Sequence, residues 1–292
     1  MKNKIRLFLA GTLLFMTAVS CSSHDKTITI VHKNFTEQRL IGQAMGIYLK
    51  DKGFKTEVKE LGGSMLCFNA LVSGEADMYP EYTGTVYSTI FKHTKILSEQ
   101  DTYDMVKKES EEKYGITWLE PMGFNNTYVL SVTKETAKKY NLHNISDLAP
   151  YAKDLVLGGD SEFGVREIDG YPALIKKYGF QFKSYKSMDQ GLTYQALVNE
   201  KIDINASYAT DGRIAKYGLV NLKDDKQVFP PYYCTPIMKQ SFVDKNPKVV
   251  AYLNKLKGVW SNEDMQKYNQ MVDDGKDIDK VATQMLQDKN LI

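Results

Sequence analysis

Two tyrosines stand at the same place in a phrase that the chain uses twice. Ala70-Leu71-Val72, Asp77-Met78 and Tyr82 in the first copy return as Ala196-Leu197-Val198, Asp203-Ile204 and Tyr208 in the second, at a constant offset of 126 positions. Each copy reads as the end of an amphipathic helix, a short polar turn, a brief strand and a tyrosine just past the strand's carboxyl end. In open α/β sheets that end is where ligands bind. Two α/β lobes facing each other bring equivalent loops together across a crevice, so Tyr82 and Tyr208 are expected to form two walls of one site. Aromatic faces combine an apolar wall with negative quadrupole potential. Residues for bond-making chemistry are poorly placed by comparison. The four histidines (His24, His32, His93 and His143) include no pair at metal-ligand helix spacing, and H-E-x-x-H, G-x-S-x-G and P-loop motifs are absent. His32 reads as structural, and the acid pairs Glu75/Asp77 and Asp224/Asp225 read as turn or solvated residues. The chain is expected to bind and not to catalyse, without a cofactor or metal.

The elements that must carry these tyrosines follow from periodicity. Residues 27–31 alternate and are β-branched, a strand pattern. Lys33-Asn34-Phe35-Thr36 leads into a helix over 37–51, with Thr36 as its cap and Leu40, Ile41, Met45, Tyr48 and Leu49 at helical spacing. A strand over 55–61, a turn and cap at Gly62-Gly63-Ser64, and a helix over 65–72 complete a β-α-β-α-β half-unit. Residues 116–119 and 127–132 are strand-like. A second set follows, with strands over 155–158, 182–185 and 202–207 and helices over 171–178 and 190–198. Phe229-Pro230-Pro231-Tyr232-Tyr233 breaks the pattern, and beyond it Asn246-Pro247 and Ser261-x-x-Asp264 start capped helices. These are expected to pack back on the first lobe. The chain then crosses between lobes near 124–128 and near 229–233, a two-strand hinge over a cleft. The expected division is lobe I over 27–126 plus 232–292 and lobe II over 127–231.

The 292 residues are 42% hydrophobic, enough for a sizeable core. Lys2, Lys4 and Arg6 precede an apolar run over 7–19, the layout of a secretory signal over 1–20. Ala18-Val19-Ser20 before Cys21 resembles a bacterial lipobox, although alanine stands where leucine is more usual, so cleavage as an ordinary signal stays open. Cys21 is the lipidation candidate and 21–26 a tether, giving an exported protein held to the membrane by its lipid. Of the 38 Lys and Arg the signal carries three and no acid, so the net charge of +2 becomes −1 on its removal, and nothing argues for nucleic acid. Cys67 and Cys234 are expected as free, buried thiols.

Tyr79-Pro80-Glu81-Tyr82-Thr83-Gly84-Thr85 is the sharpest local signature. With Lys33-Asn34-Phe35-Thr36-Glu37-Gln38, Gly123-Phe124-Asn125-Asn126-Thr127-Tyr128, Thr210-Asp211-Gly212-Arg213 and Phe229-Pro230-Pro231-Tyr232, it resembles the substrate-binding proteins of osmoprotectant ABC importers, over residues 28–292. The resemblance implies a periplasmic-binding-protein-like α/β clamp of type II, in the cluster F manner. It also implies a quaternary ammonium ligand such as glycine betaine, carnitine or proline betaine, with an ABC permease and its ATPase as partners. Choline or ergothioneine is the alternative ligand, and a sensor that kept the clamp fold the alternative role. By motif, the ammonium cage falls on Tyr82, Tyr128, Tyr208 and Tyr232. A quaternary ammonium has no N–H to donate, which is why aromatic faces suit it. For the ligand carboxylate the resemblance implies Arg166, with Lys33 and Thr85 on the opposite lobe; Asn126 and Gln38 are further candidates. Arg166 near Asp169 also fits a surface ion pair. Met65-Leu66-Cys67 after the glycine pair and the polar Asn205-Ala206-Ser207 depart from the family pattern.

Overall fold

A computed structural model describes residues 27–292; the expected signal, tether and Cys21 lie outside the described residues. The first half runs β1 (Ile28–His32), α1 (Thr36–Asp51), β2 (Thr56–Glu60), α2 (Ser64–Ser73), β3 (Met78–Tyr82), α3 (Glu99–Tyr114) and β4 (Ile116–Trp118). The chain then builds β5 (Tyr128–Val132), α4 (Lys134–Tyr140), β6 (Val156–Gly159), α5 (Ser161–Val165), α6 (Tyr171–Tyr178), β7 (Ser184–Ser187), α7 (Gln190–Val198), β8 (Ile204–Tyr208), α8 (Gly212–Tyr217) and β9 (Val220–Leu222). It ends with β10 (Cys234–Lys239), α9 (Gln240–Lys245), α10 (Pro247–Leu253), α11 (Asn262–Asp273) and α12 (Ile278–Gln287).

Two five-stranded mixed sheets result, ordered β2-β1-β3-β10-β4 and β7-β6-β8-β5-β9. The orders match position for position, and each sheet takes its fourth strand, β10 or β5, from the chain just after it crosses over from the other sheet. Both inserted strands run antiparallel to their neighbours. The repeated phrase has its counterpart in space: α2 and α7 begin at Ser64 and Gln190, β3 and β8 span Met78–Tyr82 and Ile204–Tyr208, and every one of these starts keeps the offset of 126.

Helices bury the first sheet on both faces. Leu40, Ile41 and Met45 of α1 meet Met265, Tyr268 and Met285 of α11 and α12 over one face. Phe68 and Leu71 of α2 pack with Val106 and Trp118 on the other. The second sheet shares a core of Leu130, Leu157, Ile204, Phe163 and Leu174. The two crossings between sheets are hydrogen-bonded to each other: Asn126 N–H donates to the Tyr232 carbonyl at 3.0 Å and the Thr127 hydroxyl to the Pro230 carbonyl at 2.7 Å. Helix α11 also touches the second unit, where Gln266 Nε2 donates to the Ala209 carbonyl at 2.7 Å.

Several local expectations are corrected. Thr36 is the first residue of α1 and does not cap it; Phe35 holds the cap position without a side-chain bond, and the Thr36 hydroxyl donates instead to Asp273 Oδ1 at 2.7 Å. Ser64 likewise starts α2, with Gly63 at the cap. Strand β10 occupies a stretch expected to lead directly into helices. Its Pro236 removes a donor in the middle of a central strand, ordinarily a contradiction. Leu119 N–H still donates to the Pro236 carbonyl at 3.1 Å, and the donor Pro236 cannot return to the Leu119 carbonyl is replaced by the Tyr103 hydroxyl at 3.0 Å. Cys67 and Cys234 are free and buried, as expected. Burial pushes the Cys67 thiol up to about 12, so it stays protonated and inert. His32 is structural: its Nδ1 pairs with the Lys33 carbonyl at 2.8 Å and its ring packs on Gly42.

Candidate functional site

Tyr82 and Tyr208 end β3 and β8, where each sheet's carboxyl edge meets the cleft. The register of the second sheet sets Tyr128, first residue of β5, opposite Tyr208. Their rings stack with centroids 4.9 Å apart and planes 28° apart, and their hydroxyls lie 3.3 Å apart. Phe163 braces Tyr128 edge-on at 4.9 Å. Tyr232 arrives on the returning crossing. One cavity of about 340 Å³ has all four tyrosines in its wall together with Lys33, Thr85, Asn126 and Arg166. Gln38 is the exception among the candidates: it is fully buried, its Oε1 accepting from Lys33 N–H at 3.5 Å, and it is not part of that wall.

The phenols are neutral at any physiological pH. Burial, the largest cause, raises Tyr208 to about 12 and Tyr128 higher still. Neutral rings keep their negative faces available to a cation without competing ionisation. The basic residues are already paired. The Lys33 ammonium binds fully buried Glu81 and lies 4.9 Å from the Tyr82 ring centroid. Arg166 forks onto Asp169 through Nε at 2.6 Å and Nη2 at 2.8 Å, reaches Glu162 with Nη1 at 2.9 Å and the Tyr232 hydroxyl at 3.4 Å, and holds its guanidinium carbon 5.9 Å from the Tyr128 ring centre. The Asp169 side chain is 1% exposed, so that pair is internal, whereas Glu162 is 66% exposed.

Sequence reasoning did not single out Phe35, Glu162 or Glu37. Phe35 stacks beside Tyr82 with centroids 6.2 Å apart. Glu37, in the first turn of α1, is fully enclosed and gathers donors from both sides of the cleft. It accepts from the Tyr82 hydroxyl at 2.6 Å, from Asn126 Nδ2 at 3.0 Å and from Asn269 Nδ2 at 3.1 Å. Thr210 bonds it as well, yet burial outweighs these donors and raises its pKa above the ordinary carboxylate value.

The turn after β3 presses on the returning crossing. A Cβ at Gly84 would stand 2.7 Å from the Pro231 carbonyl oxygen and 2.8 Å from the Tyr232 ring. A single wide helical turn, Thr85–Ile90, follows at once, a form frequent at functional sites. Gly84→Ala is expected to push Tyr232 out of the wall and weaken ligand binding by roughly tenfold, the worth of about one aromatic face. Calorimetric titration checks it; unchanged affinity with a shifted Tyr232 would show that the fourth ring is dispensable.

Residues 26–288 match the model of the substrate-binding domain of ABC-type glycine betaine transport systems. The chain belongs to this family. The carnitine transport binding protein OpuCC of Listeria monocytogenes is 37% identical over 302 residues, covering 99% of this chain and 98% of its own. The ergothioneine transport permease/ergothioneine binding protein EgtU of Helicobacter pylori is 32% identical over 251 residues, 85% of this chain but 45% of that longer one. A crystal structure described as a glycine betaine/carnitine/choline ABC transporter superposes with a TM-score of 0.87 at 36% identity, covering 90% of this chain and 99% of that one. The architecture is therefore the two-lobed α/β fold of extracytoplasmic binding proteins, in a family of transporter components and not of enzymes. Among the described residues no helix is long and apolar enough to cross a membrane.

Proposed function

We propose that this protein captures a quaternary ammonium osmolyte in the tyrosine cage and delivers it to an ABC permease and its ATPase. The observation that carries this reading is the Tyr128–Tyr208 stack facing Tyr82 and Tyr232 across one cavity. Each desolvated aromatic face contributes roughly 0.5–2 kcal/mol toward a cation. Four faces then supply roughly 2–8 kcal/mol toward the roughly 8 kcal/mol of a micromolar complex. Relatives named for carnitine and ergothioneine support a betaine over a simple amine.

The ligand carboxylate goes to Arg166, with Lys33 and Thr85 across the cleft. Of the contacts that Arg166 makes, the one to exposed Glu162 is the weak one a ligand carboxylate can displace, while the fork to Asp169 holds the guanidinium in place. The lobes, divided at 126/127 and 231/232, close on the two crossings and are joined through the ligand; the closed form is what the permease reads. Export with lipidation at Cys21 completes the assignment and keeps the protein beside its permease.

The test is calorimetric titration with glycine betaine, carnitine and choline. Arg166→Ala alone strands the buried Asp169, so the informative variant is Arg166→Ala with Asp169→Asn. Glycine betaine should lose about 2 kcal/mol, roughly 30-fold, from the missing charge-assisted bonds. Choline has no carboxylate and should change less than about threefold. Equal losses for both ligands would remove Arg166 from carboxylate recognition, and no binding of any ligand by the folded wild-type protein would overturn the ligand class.

A further inference from the structure

A second cavity of about 400 Å³ adjoins the cage. The two share Phe35 from the start of α1, Asn126 from the first crossing and Tyr208 from the end of β8, so these three side chains stand on their common boundary. Two of the three are fixed. Asn126 Nδ2 donates to Glu37 Oε1 at 3.0 Å, and Tyr208 is stacked on Tyr128. Two cage tyrosines away from this boundary are pinned by their hydroxyls, Tyr82 to Glu37 Oε1 at 2.6 Å and Tyr232 to Asp169 Oδ2 at 3.0 Å. The Phe35 side chain has no polar atom by which to be held. Its ring lies 6.2 Å from that of Tyr82 with planes 21° apart, and the residue is 39% exposed.

Phenylalanine also suits its place in the chain poorly. Phe35 occupies the N-cap of α1, where Ser, Thr, Asp or Asn would accept an otherwise unpaired backbone N–H, and it makes no such bond. Nor does the ring gain what a core phenylalanine gains, since a large part of it stays in water. Neither the helix nor the core accounts for an aromatic residue here, whereas the cavity boundary does. A ring at that boundary offers a bound cation one more face. A head group too large for the pinned tyrosines finds room only by displacing this ring toward the second cavity, which separates Phe35 from Tyr82 and from the cation together. We propose that Phe35 is the adjustable fifth wall of the cage and sets the largest ammonium head group that binds tightly. This rests on the cage reading and adds to it a residue that selects by the size of the substituents on nitrogen.

Calorimetric titration of the purified protein with glycine betaine and with its triethyl homologue tests the inference, because the homologue keeps the charge and the carboxylate and enlarges only the head group. The wild-type protein should favour glycine betaine by about 30-fold or more, the scale of an overfilled site. The main variant is Phe35→Ser, which removes the ring and supplies the missing helix cap; urea unfolding checks that it is folded. In it glycine betaine should weaken by roughly 2- to 30-fold, the worth of one aromatic face, and the preference over the triethyl ligand should fall by about tenfold or more. Phe35→Leu keeps the bulk without the aromatic face, so it should lose affinity for glycine betaine yet hold the preference to within about threefold of wild type, a split that a merely structural role would not produce. Equal binding of the two ligands by the wild-type protein, or a preference unchanged in folded Phe35→Ser, would overturn the role given to Phe35 and leave the cage intact. Should Phe35→Ser not fold, Phe35→Leu decides, and unchanged affinity for glycine betaine in it would overturn the fifth wall. Failure of the wild-type protein to bind either ligand would overturn the cage, and this wall with it.

Discussion

Replacing Tyr128 and Tyr208 together by alanine should cut affinity for any trimethylammonium ligand by roughly 30- to 1000-fold, the sum of two aromatic faces at about 1–2 kcal/mol each. The pair is braced by strand register and by neighbouring rings. Their strands are held in register by β5–β8 pairing, their rings stack at 4.9 Å, and Phe163 and Phe229 pack against Tyr128. Little rotamer freedom therefore remains to be lost on binding, which is how preorganisation turns contact into affinity. Phenylalanine controls separate the ring face from the hydroxyl. Tyr208→Phe keeps the quadrupole and should bind within about threefold of wild type. Calorimetry reads both variants. An alanine pair that loses less than about fivefold would mean that the ammonium does not sit on this stack.

Glu37→Ala should be the most damaging single change to stability, about 3–5 kcal/mol, because it leaves the donors of Tyr82, Asn126, Asn269 and Thr210 without their shared acceptor. Urea unfolding measures it, and a loss under about 1 kcal/mol would show that water replaces the carboxylate at little cost. The pH dependence has a defined sign. Burial raises the folded-state pKa of Glu37, so at pH values between the unfolded and the folded pKa the folded protein binds more protons at this group than the unfolded chain does. Stability from this group is greatest below the ordinary carboxylate pKa and is lost as pH rises through the raised one. The stability of wild type relative to Glu37→Gln should therefore grow on acidification from neutral pH toward about 4.5. A difference that is flat or shrinks would mean that Glu37 titrates normally.

The duplicated phrase was legible because its signals are local: a helix end, a turn, a brief strand and an aromatic all lie within thirteen positions, and both copies fold as helix, turn and strand, with each tyrosine the last residue of its strand and not just past it. What depends on distant contacts was not. Pro236 argues against a strand unless one knows that Tyr103 supplies the missing donor from α3. Thr36 looks like a cap, but Asp273, 237 positions on, outbids the helix end for its hydroxyl. Glu37 reads as an ordinary acid in a first turn, favoured there by the helix dipole. Only α11, packed on both units, shows it to be enclosed. For Arg166 the residues suggested both an ion pair and a ligand contact. The structure shows the ion pair and sets the same side chain in the cavity wall.

The strand inserted into the first sheet has a consequence for how the protein is made. All strands of the second sheet lie in one run from Tyr128 to Leu222, so that half can complete itself as soon as it emerges. The first sheet cannot, because β10 fills the gap between β3 and β4 and α11 and α12 close its core. Born first, this half finishes last, after α11 and α12 have been made. A chain cut short before residue 234 therefore holds Tyr128 and Tyr208 on a finished sheet but Tyr82 on an unclosed one, and the two walls of the proposed site are not both in place. The ability to hold a ligand is therefore gained only once β10, α11 and α12 have joined the first sheet.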